Sequence, residues 1–119
     1  MTTYLINHLR IPGGVPKEAS LEYLENVEST FLPYGGKWLA LEQPIEQIEG
    51  AWPDSVVLMS FPDMETAKKW YYSPEYQELL PKRTQWTIND LILIDEVANG
   101  FTSKAWAGEI RKLVAEAKG

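Results

Sequence analysis

The chain has no cysteine and a single histidine, His8, among its 119 residues. Without cysteine there is no disulfide framework, no thiolate nucleophile and no cysteine-held zinc or iron–sulfur cluster. One histidine excludes a multi-histidine metal site, and the acidic residues are scattered along helix faces without the spacing of a metal loop, so no metal is expected. Basic residues are also few. Eleven Lys and Arg against seventeen Asp and Glu give a net charge of -6 with no basic cluster, which argues against nucleic acid as a partner. Apolar runs fall well short of the roughly 20 residues that cross a bilayer, and the opening Met1–His8 stretch lacks the basic and apolar blocks of a signal peptide. No membrane association and a cytoplasmic location are the expectation. No glycine-rich nucleotide fingerprint, nucleophile elbow or paired-carboxylate pattern occurs. The expected chemistry therefore uses no cofactor, with haem on a single axial His8 as the one exception the composition leaves open.

What is present is an ordinary globular composition, 45% hydrophobic and 24% charged, at a length suited to one core. Tyr4 to Ile11 reads as a strand stopped by Pro12-Gly13-Gly14-Val15-Pro16. In Lys17 to Leu32, Leu21, Leu24, Val27 and Phe31 recur at helical spacing, and Pro33 closes that helix. Lys37 to Glu42 and Ser55 to Phe61 read as the second and third strands, with the stretch from Gln43 to Ala51 left between extension and loop. Asp63 and Ser73 are natural N-caps for two adjoining helices, Pro74 suits a first helical position, and Pro81 is expected to end or kink the second helix. Leu91 to Val97 makes a fourth strand. The order β-α-β-β-α-β in this length points to an α+β, ferredoxin-like sandwich. After Asn99-Gly100 comes a further amphipathic helix, whose stripe of Trp106, Ile110, Leu113 and Val114 must dock either on its own domain or on a partner subunit.

Several of these pieces resemble the domain of unknown function 1330 family, within the dimeric α/β-barrel superfamily. They are His8 in the first strand, Tyr34-Gly35-Gly36-Lys37, Glu49-Gly50 before Trp52, and Val56 to Pro62. To them are added Trp70-Tyr71, Ser73-Pro74-Glu75-Tyr76, Arg83 and the strand from Asp90. The resemblance spans about residues 4 to 97. It implies a dimeric α/β-barrel domain over 1–97, a C-terminal helical extension over 98–119 that departs from the family pattern, and a homodimer with a small-molecule cavity in each protomer. It implies no particular reaction. Its wider relatives include cofactor-free monooxygenases, isomerases, cyclases and haem-binding peroxidases.

Histidine is the one residue type whose unperturbed pKa lies near neutrality, so His8 is the first candidate for proton transfer, against the alternative of a buried structural histidine. Asn7 faces the opposite side of the strand from His8 and Arg10, and only one of those sets can line a given cavity. Arg83 is a candidate clamp for a carboxylate or enolate, against a surface ion pair. Tyr34, beside two glycines, is the third catalytic candidate as a donor to an oxyanion. Tyr71, Trp70, Tyr76 and Trp38 are the expected substrate-binding aromatics, with core or interface packing as the other reading for Trp70 and Tyr76. Together they suggest a cofactor-independent enzyme using acid–base chemistry on a conjugated or aromatic carbonyl compound, of isomerase, cyclase or lactone-opening type. Oxygenation of an activated phenol is the nearest variant. A non-catalytic dimer that binds a hydrophobic or aromatic metabolite, or serves only as structure, is the reading from a different class.

Overall fold

Strand β1 (Thr3–Arg10) alternates strictly, with Thr3, Leu5, Asn7 and Leu9 buried and Tyr4, Ile6, His8 and Arg10 half-exposed. A strand presents successive side chains to opposite faces, so this pattern marks one covered and one open sheet face. The computed structural model describes residues 1–119. After β1 come α1 (Glu18–Phe31), β2 (Lys37–Leu41), β3 (Ser55–Phe61), α2 (Met64–Tyr71), α3 (Pro74–Thr84), β4 (Ile88–Asp95) and α4 (Ser103–Lys118). The four strands form one antiparallel sheet in the order β2-β3-β1-β4. β1 lies at its centre, with His8 opposite Val56 on one side and Asp90 on the other. This is the ferredoxin-like α+β arrangement expected from the element order.

Helices cover only the face bearing Leu5, Asn7 and Leu9. The core there is built from Val27 and Phe31 of α1, Ala67 and Trp70 of α2, Tyr76 of α3, and Met59 and Phe61 of β3. Trp70 is its hub. Its ring stacks on Phe61 at 5.1 Å, meets Tyr76 at 4.1 Å and takes Phe31 edge-on at 6.3 Å, while its Nε1–H donates to Thr30 Oγ1 at 3.0 Å. Fully burying each large side chain stabilises by about 1.5–3 kcal/mol before entropy is counted. The turn into β2 fits closely against this core, because a Cβ on Gly36 would come within 2.9 Å of both Phe31 and Phe61.

The expected caps are in place: Asp63 accepts from the Thr66 N–H at 2.7 Å, and Ser73 from the Tyr76 N–H at 3.3 Å. Of the two outcomes expected at Pro81, the helix does not end there: α3 continues to Thr84, because a proline forfeits a single intrahelical hydrogen bond and the packing of Tyr76 and Arg83 on either side outweighs that loss. β4 begins at Ile88 rather than Leu91 and ends at Asp95, following its pairing with β1 from Arg10–Ile88 to Thr3–Asp95. The Gln43–Ala51 stretch is loop.

α4 is capped by Thr102, which accepts from the Ala105 N–H at 3.2 Å. None of its residues is buried, and it forms no packing layer with the sheet or the other helices. Trp106 remains 50% and Leu113 58% exposed. Of the two docking options, the helix does not take the one on its own domain. No helix is long and apolar enough to cross a membrane.

Candidate functional site

Between the covered sheet face and helices α1 and α3 lies a cavity of about 80 Å³, lined by 18 residues of which 12 are hydrophobic. β1 contributes Leu5, Asn7 and Leu9, which follows from their shared face. The polar end is set by α3 and α1. Tyr76 and Arg83 are seven residues apart on α3, two helical turns, and therefore on one face, where Arg83 Nε–H donates to the Tyr76 hydroxyl at 3.2 Å. Across from them, the Tyr23 hydroxyl of α1 lies 2.8 Å from that of Tyr76, and the Arg83 guanidinium sits 6.0 Å from the centre of the Tyr23 ring.

The electrostatics of this group are unusual for an interior. Burial raises the Tyr23 pKa far above its ordinary value, and the neighbouring Tyr76 adds to the rise while Arg83 opposes it, so Tyr23 stays a neutral hydrogen-bond donor. Burial acts to lower the Arg83 pKa, but the hydroxyls of Tyr76, Tyr23 and Tyr71 raise it, and the net shift is upward. The guanidinium is thus a fixed buried cation. No carboxylate pairs with it; the ion pairs of the protein join Arg10 to Asp90, Lys69 to Glu65, Lys82 to Glu22 and Lys112 to Glu109.

Glu42 is the one carboxylate among the lining residues. It follows β2 in a left-handed conformation, φ 50°, uncommon for a residue with a side chain. Its N–H donates to the Val56 carbonyl at 3.2 Å. Burial, with a smaller contribution from Asp54, raises its pKa above the ordinary carboxylate value.

Of the residues singled out in the sequence, Arg83, Trp70, Tyr76 and Trp38 line this cavity, and His8, Tyr34 and Tyr71 do not. His8 stands on the open face of the sheet. Its Nδ1 accepts from Arg10 Nη1 at 2.8 Å, which requires the proton on Nε2, and Nε2 donates to the Pro53 carbonyl at 2.8 Å. The ring stacks on Trp52 at 4.2 Å, and Arg10 continues the chain to Asp90 at 2.5 Å. Both ring nitrogens are therefore engaged, Nε2 and the ring face holding the Trp52–Pro53 segment on the sheet and Nδ1 taken by Arg10. Tyr34 ends the short 3₁₀ turn Leu32–Tyr34 and packs on the core. Tyr71 faces a separate groove with Tyr72, Lys68, Leu91 and Leu93. Of His8, Tyr34 and Arg83, only Arg83 lines this cavity, and by strand parity the covered face takes Asn7 and leaves His8 on the open one.

Tyr23 and Glu42 line the cavity without having been candidates from the sequence, whereas Asn7 belongs to the strand face weighed there against that of His8 and Arg10. Tyr23 lies next to Leu24 within the helical apolar stripe, and its parity with Val27 was the available signal. Glu42 carried no local signal, because its position depends on how β2 ends.

A family model for the domain of unknown function DUF1330 matches residues 2–97. The chain belongs to the DUF1330 family. Among solved structures it is similar to the protein RPA0582 of unknown function from Rhodopseudomonas palustris, at 20% identity over 82% of this chain and 83% of that one, with a TM-score of 0.63. A dimeric ferredoxin-like protein of unknown function from Jannaschia sp. CCS1 matches at 12% identity over 82% and 100% of the two chains, TM-score 0.59. SnoaB, a cofactor-independent oxygenase from Streptomyces nogalater, matches at 8% identity over 85% and 97%, TM-score 0.53. At these identities the likeness is one of fold. No protein of curated function matches the chain.

Proposed function

We propose that this DUF1330 protein is a cofactor-independent enzyme that moves a proton on a small conjugated or aromatic carbonyl compound held in the Arg83 cavity. The observation that carries the reading is a buried guanidinium with no acid partner beside two phenols at the end of an apolar cavity. A buried cation without a counter-charge is costly, and an oxyanion in the cavity supplies the missing charge. The Tyr23 and Tyr76 hydroxyls share one hydrogen bond, so one of their two O–H groups is free to donate to the same oxygen.

The base in this reading is Glu42 rather than His8. Its raised pKa suits proton abstraction near neutral pH better than that of an ordinary carboxylate. The carboxylate takes a proton from the carbon next to the carbonyl. The C–H pair becomes a C=C bond, and the carbonyl π pair moves onto oxygen, where Arg83 and a phenol stabilise it. Return of that proton from Glu42 to the conjugated carbon gives the isomer and restores the base. Trp38, Trp70 and Tyr76 form the aromatic wall that receives the apolar body of the substrate.

The assembly in this reading is a homodimer. The open sheet face exposes Ile88, Ile92 and Ile94 by about half, a row that a second copy covers symmetrically, as the dimeric Jannaschia relative supports. The extension 98–119 lies outside the family match, and its apolar stripe, left uncovered by its own domain, is assigned in this reading to the partner.

Deuterium incorporation into acetylacetone and into cyclohexenone, followed by NMR with purified protein, tests the assignment. Glu42→Gln and Arg83→Gln are each expected to lower the protein-catalysed rate by about 10²-fold or more, whereas His8→Gln leaves it unchanged. Oxygen consumption in place of exchange marks the monooxygenase variant. No acceleration over buffer by the wild-type protein, or loss of activity in His8→Gln with none in Glu42→Gln, overturns the reading.

A further inference from the structure

Four buried side-chain polar atoms lack a hydrogen-bond partner, and three of them, Asn7 Oδ1, Ser20 Oγ and Arg83 Nη1, belong to residues that line the cavity. Buried polar groups are almost always paired, so a concentration of unpaired ones in a single cavity specifies what should enter it. The cavity also exceeds the roughly 10–15 Å³ that a single water needs.

The type of each orphan is fixed by its neighbours. Thr87 Oγ1 donates to the Arg83 carbonyl, so toward Asn89 it can only accept. Asn89 therefore turns its Nδ2 to Thr87, at 2.9 Å, and its Oδ1 toward Asn7. Asn7 must then present Nδ2 to Asn89, at 2.8 Å, and keep Oδ1 free. That free atom is an acceptor on a side chain only 3% exposed. Arg83, 9% exposed, is the opposite case: Nε is satisfied by Tyr76 while Nη1–H has no acceptor. Ser20 can serve in either role.

We infer that the substrate class of this cavity is a hydroxyl- or amino-bearing carbonyl compound: its oxygen, anionic or becoming so, meets Arg83 Nη1, and an O–H or N–H on the same molecule donates to Asn7 Oδ1. The inference rests on the cavity being the substrate site proposed above. Asn7 acts in it as a specificity-determining residue. A ligand without the donor leaves Oδ1 buried and unpaired, which is the situation that discriminates most strongly between close analogues. A neutral ligand without the oxyanion leaves Arg83 uncompensated.

The test is a calorimetric titration of the full chain with benzoate, meta- and para-hydroxybenzoate, para-aminobenzoate and their primary amides, with butyrate and hydroxybutyrate as the non-aromatic pair. The carboxylates stand in for the enolate oxygen. At least one hydroxy or amino acid is expected to bind about tenfold or more tightly than its unsubstituted parent and than its amide. The hydroxy and amino members separate O–H from N–H recognition. Asn7→Ala should erase the preference for the donor while keeping affinity for the parent acid. Arg83→Lys, which keeps the charge and guards against a misfolded Arg83→Gln, should retain part of the preference for acid over amide. Melting curves of every variant accompany the titrations. Equal binding of parent and donor-bearing acids, or a donor preference that survives in a folded Asn7→Ala, overturns the inference; if proton exchange on acetylacetone persists, the reading of the site survives it. Absence of binding by every probe to millimolar concentration also overturns the inference, and joined to absence of exchange it removes the proposed function as well.

Discussion

Arg83 donates its Nε–H to the hydroxyl of Tyr76 at 3.2 Å, across two turns of a helix that carries Pro81 between them. Had the helix stopped at Pro81, Arg83 would have been a loop residue with no fixed relation to the cavity. Because it continues, one cation and one phenol are held on the same face and become interdependent.

Removing one member of this pair should therefore cost more than removing both. Tyr76→Phe leaves the buried Nε–H without its acceptor and is expected to destabilise by about 1–3 kcal/mol, whereas adding Arg83→Met should recover a large part of that loss. Urea unfolding of the two single variants and the double variant measures the coupling. Additive losses would mean that the hydrogen bond contributes little.

Tyr23 gives the protein an alkaline limit. Its phenol ionises at about 10 in the unfolded chain and is held well above that in the folded one, chiefly by burial and then by Tyr76. Unfolding above that pH releases a proton, so the contribution of Tyr23 is whole below about pH 10 and falls as pH rises, by about 1.4 kcal/mol per pH unit, until the folded phenol ionises. Denaturant midpoints measured from pH 8 to 11 should decline more steeply for the wild type than for Tyr23→Phe.

His8 is expected to behave as a clasp. In His8→Gln the stack on Trp52 is lost and the link to Pro53 is weakened, so amide hydrogen exchange should quicken over residues 51–54. Ligand affinity at the Arg83 cavity should stay as it was. A change in cavity binding without a change in exchange would show that the open face and the cavity communicate.

Gly36→Ala should be among the more damaging single-methyl changes. The added Cβ meets Phe31 and Phe61 at 2.9 Å, and neither ring can yield without disturbing Trp70, which packs on both. Overpacking of this kind costs about 1–3 kcal/mol. A melting temperature equal to the wild type would mean that the turn into β2 moves freely.

Truncation after Asn99 separates folding from association. α4 buries nothing on its own domain, so the truncated chain should keep the denaturant midpoint of the isolated domain while its self-association weakens. Sedimentation across a concentration series reads this directly. Unchanged association would exclude α4 from the dimer contact.

The elements and their order were legible in the sequence because they depend on local chemistry. Apolar runs stopped by turn residues marked β1 and β3, the helical spacing of Leu24, Val27 and Phe31 marked α1, and Asp63 and Ser73 marked helix starts by the hydrogen bonds their side chains make to the first free amides. The parity of β1 was legible too, since it separates Asn7 from His8. Which face the helices would cover was not, and that decision moved the cavity from the histidine to the asparagine. The continuation of α3 past Pro81 and the placing of Tyr23 and Glu42 were likewise tertiary outcomes. Proline and glutamate carry local preferences worth at most a few kcal/mol, and the packing of Trp70, Tyr76 and the sheet against one another overrides them. A sequence determines the period of each element by itself, but a site is a meeting of elements distant in the chain, and only their packing decides which side chains meet.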